Sequence, residues 1–133
     1  MTIMTSYNLF LDDVREPMDA FMYTHDKSYA VLDWIVVRNY DEFVRCIETM
    51  GVPSFVSFDH DLADIHYKHQ SNISYDDFQE KTGYHCARWL IDYCLDNEIS
   101  IPDVIEIHSM NPVGKMNIQS LFNTYNKIYN ENT

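Results

Sequence analysis

The stretch FVSFDHDL, residues 55–62, shows the pattern from which the fold is predicted. A short apolar run, Phe55–Phe58, ends abruptly in two aspartates that flank a histidine. Such a run is typical of a strand that is buried on both faces, as in a parallel sheet. Ligands of such sheets bind outside the carboxyl ends of the strands. Asp59, His60 and Asp61 are therefore the first candidates for a functional site.

The same pattern occurs on both sides of this stretch. Apolar runs at Tyr7–Leu11 and Val104–Ile107 each predict a buried strand that is followed by polar side chains. Those side chains are Asp12 and Asp13 after the first run, and His108, Ser109 and Asn111 after the second. The β-branched and aromatic residues of Val31–Val37 predict a further strand.

Helix signals lie between these strands. Asn39 is a favourable N-cap and Glu42 completes a capping box, so a helix is expected from there to Gly51. Thr82 and the pair Asn111-Pro112 mark the starts of two further helices.

Strands that alternate with helices predict a parallel sheet with right-handed crossovers. Residues 13–29 have little helical pattern and predict a loop with about one turn of helix after Pro17. Residues 63–81 are polar, aperiodic and too long for an ordinary connector, so we expect a lid or a flexible insertion there. The chain, residues 1–133, is thus predicted to form a single three-layer α/β domain with a short, mostly parallel four-stranded sheet.

The composition argues against several classes of protein. With 133 residues, 46 % of them hydrophobic, the chain can bury a sizeable core, which disfavours disorder. A formal net charge of −12 disfavours binding to a long nucleic acid, which depends on Lys and Arg. No apolar run is long enough to cross a bilayer, and the first residues do not resemble a signal peptide. Three cysteines outside any zinc-ligand spacing predict reduced thiols in a cytoplasmic protein.

Acidic side chains should be crowded at one edge of the sheet, because the ends of parallel strands meet there. Two like charges about 4 Å apart repel each other by on the order of 4 kcal/mol at an effective dielectric of 20. Protonation of one acid or binding of a cation would relieve this repulsion. Mg²⁺ suits such an oxygen-rich site, and Mn²⁺ suits it better if a histidine joins. The competing interpretation of Asp13 and Asp61 is that they cap turns or face solvent.

Two histidines at strand ends add acid–base chemistry. His60 and His108 could lie on either side of a phosphate, where one protonates a leaving oxygen and the other deprotonates water. Ser109 could donate a hydrogen bond to a phosphate oxygen or act as a nucleophile. The candidates for binding the phosphate itself are Arg15, Asn111 and Lys115. An ordinary structural or surface role is the competing interpretation for the two histidines, for Arg15 and for Lys115.

Four blocks of sequence resemble a known family when they are taken together and in order. They are LFLDDVREP (9–17), VSFDHDL (56–62), TGYHCARWLIDYC (82–94) and HSMNPVG (108–114). The set resembles the cyclic-phosphate processing receiver family over about residues 7–121. This resemblance implies a receiver-like, flavodoxin-like fold, related to the receivers of response regulators. It also implies that Asp12, Asp13 and Asp59 occupy the metal-binding positions of a receiver and that Ser109 occupies its hydroxyl position.

The sequence also departs from an ordinary receiver. A fifth strand with a lysine is not evident, and His60, Asp61 and His108 are additions that an ordinary receiver lacks. These departures favour hydrolysis or handling of a cyclic phosphate over phosphorelay signalling.

The leading hypothesis is a metal-dependent phosphoesterase, a hydrolase that acts on a cyclic phosphate of a small nucleotide or of an RNA end. In this hypothesis His60 and His108 move protons, and Asp61 orients one imidazole. A second version uses the two histidines without a metal. The competing hypotheses are a non-catalytic module that binds or sequesters a phosphorylated ligand or cyclic nucleotide, and a receiver that is phosphorylated on Asp59.

Overall fold

Four parallel strands form the sheet of the computed structural model, which describes residues 7–60 and 82–131. The strands are β1 (Asn8–Leu11), β2 (Ile35–Val37), β3 (Phe55–Phe58) and β4 (Val104–Ile107). Their order across the sheet is β2-β1-β3-β4, so the chain passes from one side of β1 to the other between β2 and β3. The predicted four-stranded parallel sheet is confirmed, and the two described ranges contain no fifth strand.

Helices follow or precede the strands in the order expected of a receiver-like α/β fold. They are α1 (Pro17–Thr24), α2 (Ser28–Val31), α3 (Tyr40–Met50), α4 (Gly83–Asp96) and α5 (Pro112–Glu131). The predicted insertion at residues 63–81 lies outside the described residues, as does Asp61.

The sheet separates two apolar clusters. Alternate residues of β1 and β3, among them Leu9 and Phe58, pack against buried side chains of α3, α4 and α5. On the opposite face, Phe10 packs against Ala20 of α1 and Tyr29 of α2. Helices therefore cover both faces, as a parallel sheet requires and as the predicted three-layer arrangement specifies.

The segment between β1 and β2 corrects two expectations. Residues 13–29, predicted as a loop with about one helical turn, contain all of α1 and the start of α2. The strand predicted at Val31–Val37 begins only at Ile35. Its predicted first residue, Val31, is instead the last residue of α2. Both helices are short and are stabilised by burial of Ala20 and Tyr29 in the second cluster. Tertiary packing of this kind leaves little periodic pattern in the sequence.

The starts of the longer helices follow the predicted capping residues. The Asn39 side chain accepts the amide N–H of Glu42 at 2.9 Å, and Gly51 ends α3 with a φ of 94°. The capping box is only half formed, because the Glu42 carboxylate accepts the amide N–H of Arg38. Thr82 caps α4 by accepting the amide N–H of Tyr84 at 3.2 Å.

The three cysteines are free thiols, as predicted. Burial raises the pKa of the Cys86 and Cys94 thiols, which keeps them protonated and chemically inert. Within residues 7–60 and 82–131, no helix has both the length and the hydropathy needed to cross a membrane.

Three of the strands end in register. Leu11 pairs with Phe58, and Phe58 pairs with Ile107. The hydrogen bonds continue one residue further, since the N–H of Asp59 donates to the Leu11 carbonyl at 3.0 Å and that of His108 donates to the Phe58 carbonyl at 2.9 Å. The residues directly after β1, β3 and β4 therefore lie side by side along one edge of the sheet.

Helix α4 begins in contact with the end of β3. The N–H of Gly83 donates to the carbonyl oxygen of His60 at 2.7 Å. A Cβ atom at position 83 would lie 1.7 Å from the carbonyl oxygen of Asp59, a distance that no side chain tolerates. Glycine is therefore required where the helix approaches the backbone of Asp59 and His60.

Gly83→Ala should lower the free energy of unfolding by roughly 2 kcal/mol or more, because the new Cβ must push the end of β3 away from α4. Urea unfolding measures the change. Asp92→Ala, at an exposed position of the same helix, is the control and should stay within about 0.5 kcal/mol of the wild type. An alanine variant at residue 83 with wild-type stability would contradict the close approach of α4.

Candidate functional site

Three buried polar side chains meet where β1, β3 and β4 end. Asp12, Asp59 and His108 each offer one donor atom, and these atoms all lie within 4.8 Å of one another. Asp59 is the most exposed of the three, at only 4 %. Strands β1 and β3 flank the point at which the strand order reverses, which is where open α/β sheets bind ligands. This cluster, called the trio below, unites residues from three predicted strand ends.

Asp12 is held by hydrogen bonds at both carboxylate oxygens. Its Oδ1 accepts the backbone N–H groups of Val14 at 3.0 Å and Arg15 at 2.8 Å, and its Oδ2 lies 3.0 Å from His108 Nε2. Burial alone would raise the pKa of this carboxyl group, but the hydrogen bonds from His108, Arg15 and Val14 outweigh burial and lower the pKa. Asp12 is therefore a carboxylate at neutral pH and only accepts hydrogen bonds.

His108 is enclosed on its ring face and at both ring nitrogens. The ring stacks on Phe10 with centroids 4.3 Å apart and planes 8° from parallel. Its Nδ1 lies 2.7 Å from Ser57 Oγ, and its backbone carbonyl accepts the hydroxyl of Tyr23. Burial lowers the pKa of His108, and the nearby Asp12 carboxylate offsets this effect only in part. His108 is therefore a neutral imidazole near neutral pH.

A chain of hydrogen bonds continues from His108 into the interior. Ser57 Oγ lies 2.6 Å from the hydroxyl of Tyr29, so Tyr29, Ser57, His108 and Asp12 form one continuous buried series. Neither Ser57 nor Tyr29 is among the predicted site residues. The available signal is a serine inside an otherwise apolar strand. Tyr29 has no such signal, because its position depends on α2.

His60 packs on the first turn of α5. The residue is buried, and a Cβ atom at Gly114 would lie 2.3 Å from Cγ of its imidazole ring. Glycine at position 114 thus allows the ring to lie directly on the helix backbone. Together with the hydrogen bond between the His60 carbonyl and Gly83, this contact fixes His60 between α4 and α5.

Arg15 lies between the buried trio and solvent. Its Nη1 is 3.8 Å from Asp12 Oδ2, and one third of its side chain is exposed. The guanidinium carbon lies 5.3 Å from the ring centre of Tyr23, and Nη2 lies 3.4 Å from the sulfur of Met110. A fixed, partly exposed guanidinium is suited to binding a phosphate oxygen. The contact with Asp12 links Arg15, a predicted phosphate ligand, to the trio.

The other predicted phosphate ligands have different surroundings. Ser109 Oγ accepts the N–H of Asn111 at 3.1 Å, and Asn111 Oδ1 accepts the N–H of Gly114 at 3.0 Å, so both side chains cap the start of α5. Lys115 lines a groove of about 480 Å³ beside β4 and α5, together with Glu106.

Arg38, directly after β2, holds the loop to which Arg15 belongs. Its Nη1 donates to the carbonyl oxygens of Asp12 at 3.2 Å and Arg15 at 2.7 Å, and its Nη2 pairs with Glu16. Arg38 is also absent from the predicted site residues. Its place at the end of a predicted strand, on the same sheet edge as the acids, was the signal for it.

The trio fits a small divalent cation. Two carboxylates and an imidazole suit Mn²⁺, whereas Mg²⁺ prefers oxygen ligands alone. Asp13, which the sequence suggested as a ligand, is half-buried and does not belong to this group. The role of Asp13 as a metal ligand therefore stays a prediction.

The stability of the fold should increase with pH near neutrality because of His108. Its pKa is lowered in the folded state, so the unfolded chain binds a proton that the folded chain excludes. In the presence of a chelator, the free energy of unfolding should therefore rise with pH up to about the ordinary histidine value of 6.5 and level off above it. His108→Gln should flatten this rise.

His25→Asn is the control, because His25 is exposed and asparagine tolerates its left-handed backbone. Urea unfolding between pH 5 and 8 measures the dependence. The same slope in the wild type and in His108→Gln would contradict a neutral, buried imidazole.

Comparison with protein families gives a match over most of the chain. The family model described as "Cyclic-phosphate processing Receiver domain" matches residues 7–124. Neither the curated proteins nor the solved structures contain a match. The matched span includes all four strands, the trio, Arg15 and Arg38, and the greater part of α5. The chain therefore belongs to the cyclic-phosphate processing receiver domain family.

Proposed function

We propose that this domain hydrolyses a cyclic phosphate with the help of a divalent cation, at the edge where β1, β3 and β4 end. The main observation is the buried trio of Asp12, Asp59 and His108, whose donor atoms lie within 4.8 Å of one another. Two carboxyl groups this close repel each other, and a bound cation would relieve that repulsion. The description of the family supports a cyclic phosphate as the substrate class.

The trio would hold Mn²⁺ or Mg²⁺. The cation would stabilise negative charge on a phosphate oxygen and lower the pKa of a bound water. Arg15 would bind a further phosphate oxygen, since its guanidinium lies beside Asp12 and is partly exposed. A local positive charge is important in a chain with a net charge of −12, which otherwise repels anions.

The two histidines have different roles in this proposal. Both ring nitrogens of His108 contact protein groups, so in this proposal His108 would hold the cation through Nε2 and would not carry a proton to the substrate. His60 is the candidate that moves a proton between water and the leaving oxygen. Asp61 keeps its predicted role, to orient one imidazole, as a prediction.

Ser109 and Asn111 would act through the start of α5. Their side chains accept backbone N–H groups there and so shape the first turn. Backbone N–H groups at a helix start attract phosphate oxygens. The ligand would be a cyclic nucleotide or the cyclic phosphate of an RNA end, because the acidic surface disfavours a long duplex.

A non-catalytic binding module is the second candidate, and one observation favours it. Asp12 and His108 form a hydrogen bond with each other, and backbone amides donate to Oδ1 of Asp12. These hydrogen bonds stabilise the cluster whether or not the domain catalyses a reaction. Such a domain would bind or sequester a phosphorylated ligand without turnover. Phosphorylation of Asp59 is a weaker candidate, because its side chain is buried and the described ranges have no fifth strand for a receiver lysine.

Purified protein with Mn²⁺ should open 2′,3′- or 3′,5′-cyclic nucleotides to linear monophosphates, and a chelator should stop the reaction. Asp59→Asn should lower turnover by at least about 100-fold, because it removes a charged ligand of the cation. Asp92→Asn, at an exposed position of α4, is the matched control and should leave turnover unchanged. Phosphorus-31 NMR identifies the product.

Cation and nucleotide binding, measured in parallel, separate the candidates. Binding of both Mn²⁺ and a cyclic nucleotide without any ring opening would establish the binding module and reject catalysis. Turnover that resists the chelator would reject the cation and favour the version with histidines alone. Phosphorylation of Asp59 by a small phosphodonor would support the receiver instead.

A further inference from the structure

Ser57 is a polar residue at the centre of the sheet. Strand β3 lies between β1 and β4, and Ser57 is 0 % exposed. A buried hydroxyl is costly unless it is hydrogen-bonded, and Ser57 contacts Tyr29 at 2.6 Å and His108 Nδ1 at 2.7 Å. The proposed function assigns no role to Ser57 or Tyr29.

The direction of each hydrogen bond in this series follows from Asp12. Because its carboxylate only accepts, Nε2 of His108 must hold the proton and donate it. The neutral imidazole then accepts at Nδ1, so Ser57 donates to His108 and Tyr29 donates to Ser57. His108 is therefore the Nε2–H tautomer in this arrangement.

We propose that Ser57 and Tyr29 are positioning residues that allow His108 to exchange between its two neutral tautomers. A hydroxyl can donate or accept, so rotation of both hydroxyls reverses the series and lets Ser57 accept from Nδ1–H. In the exchange Nε2 releases one proton to solvent and Nδ1 takes one up from solvent, which requires transient opening of the buried ring. The ring stays neutral, each hydroxyl keeps its proton, and Nε2 would then direct its lone pair to a cation held by the acids of the trio.

This exchange deepens the proposed function and, in its cation-binding part, rests on it. A histidine that binds a cation through Nε2 needs an acceptor for its other N–H group, and Ser57 Oγ is that acceptor. Phe10 stacks on the ring, and Tyr29 meets it edge-on with centroids 6.1 Å apart. These contacts hold the ring plane while the proton changes sides.

Asp12→Asn tests the exchange without any cation. The N–H groups of Val14 and Arg15 keep the amide oxygen of the asparagine on their side, so its NH₂ group faces Nε2 of His108. Nε2 must then accept, and the proton moves to Nδ1. Nitrogen-15 NMR at pH 8 should show Nε2–H in the wild type and Nδ1–H in the variant. The Nε2–H form in both proteins would overturn the proposal.

Ser57 variants test whether the Ser57 hydroxyl supports cation binding by His108. Ser57→Ala should weaken Mn²⁺ binding by about 10- to 100-fold, whereas Ser57→Thr, which keeps the hydroxyl, should stay within about threefold of the wild type. Asp92→Asn is again the control. Equal Mn²⁺ affinity of Ser57→Ala and the wild type would overturn the role of Ser57 at the cation.

The two experiments separate this inference from the proposed function. If the wild type binds no Mn²⁺ but Asp12→Asn shows the Nδ1–H form, the proposed function fails and the positioning role stands. If Mn²⁺ binds and no tautomer change occurs, the positioning role fails alone. Should Asp12→Asn not fold, spectra of the wild type with and without Mg²⁺ make the same comparison, and an unchanged tautomer with Mg²⁺ bound would overturn the proposal.

Discussion

The contact between Asp12 and His108 is the interaction on which the site depends. It joins the ends of β1 and β4 across β3, and each partner is fixed by its own neighbours. Backbone amides orient the carboxylate, while Phe10 and Ser57 orient the imidazole. Loss of either partner would leave a polar group unpaired in the core, at a cost of about 1–3 kcal/mol. The contact thus links the folding of the sheet to the geometry of the site.

The strand register makes this contact possible. Because side chains alternate between the faces of a sheet, a shift of β4 by one residue would turn His108 away from Asp12. Helix backbones complete the arrangement, since α4 and α5 approach the end of β3 at two glycines, Gly83 and Gly114. Arg38 adds a third constraint by holding the loop after β1. Residues that touch no ligand therefore determine where the functional side chains lie.

The parts of the fold that depend on local pattern could be predicted from the sequence. The apolar run of β3 and the cap at Asn39 are examples, because a few adjacent residues specify each of them. The sequence also predicted that the strand ends meet at one edge of the sheet, because this requires only that the strands are parallel. The full length of α1 and the whole of α2 could not be predicted, because burial of Ala20 and Tyr29 against distant residues stabilises these helices.

Side-chain roles at the site were harder to predict for the same reason. Asp12 and Asp13 are adjacent in sequence, and only the folded loop shows that Asp12 points inward to His108. Ser57 meets Tyr29 only once α2 has packed on the sheet. Lys115 follows Gly114 on α5, but the helical turn directs it to the groove beside β4. Contacts between distant segments, and not residue types, determine where these side chains point.

The hydrogen bond between His60 and Gly83 has a consequence for how the domain tolerates change. It brings together the two chain ends that flank residues 61–81, at a donor–acceptor distance of 2.7 Å. When the ends of a segment are already joined, doubling its length adds only about 0.6 kcal/mol of closure entropy. A change in the length of this stretch should therefore cost the fold little free energy, while Asp12, Asp59 and His108 keep their places.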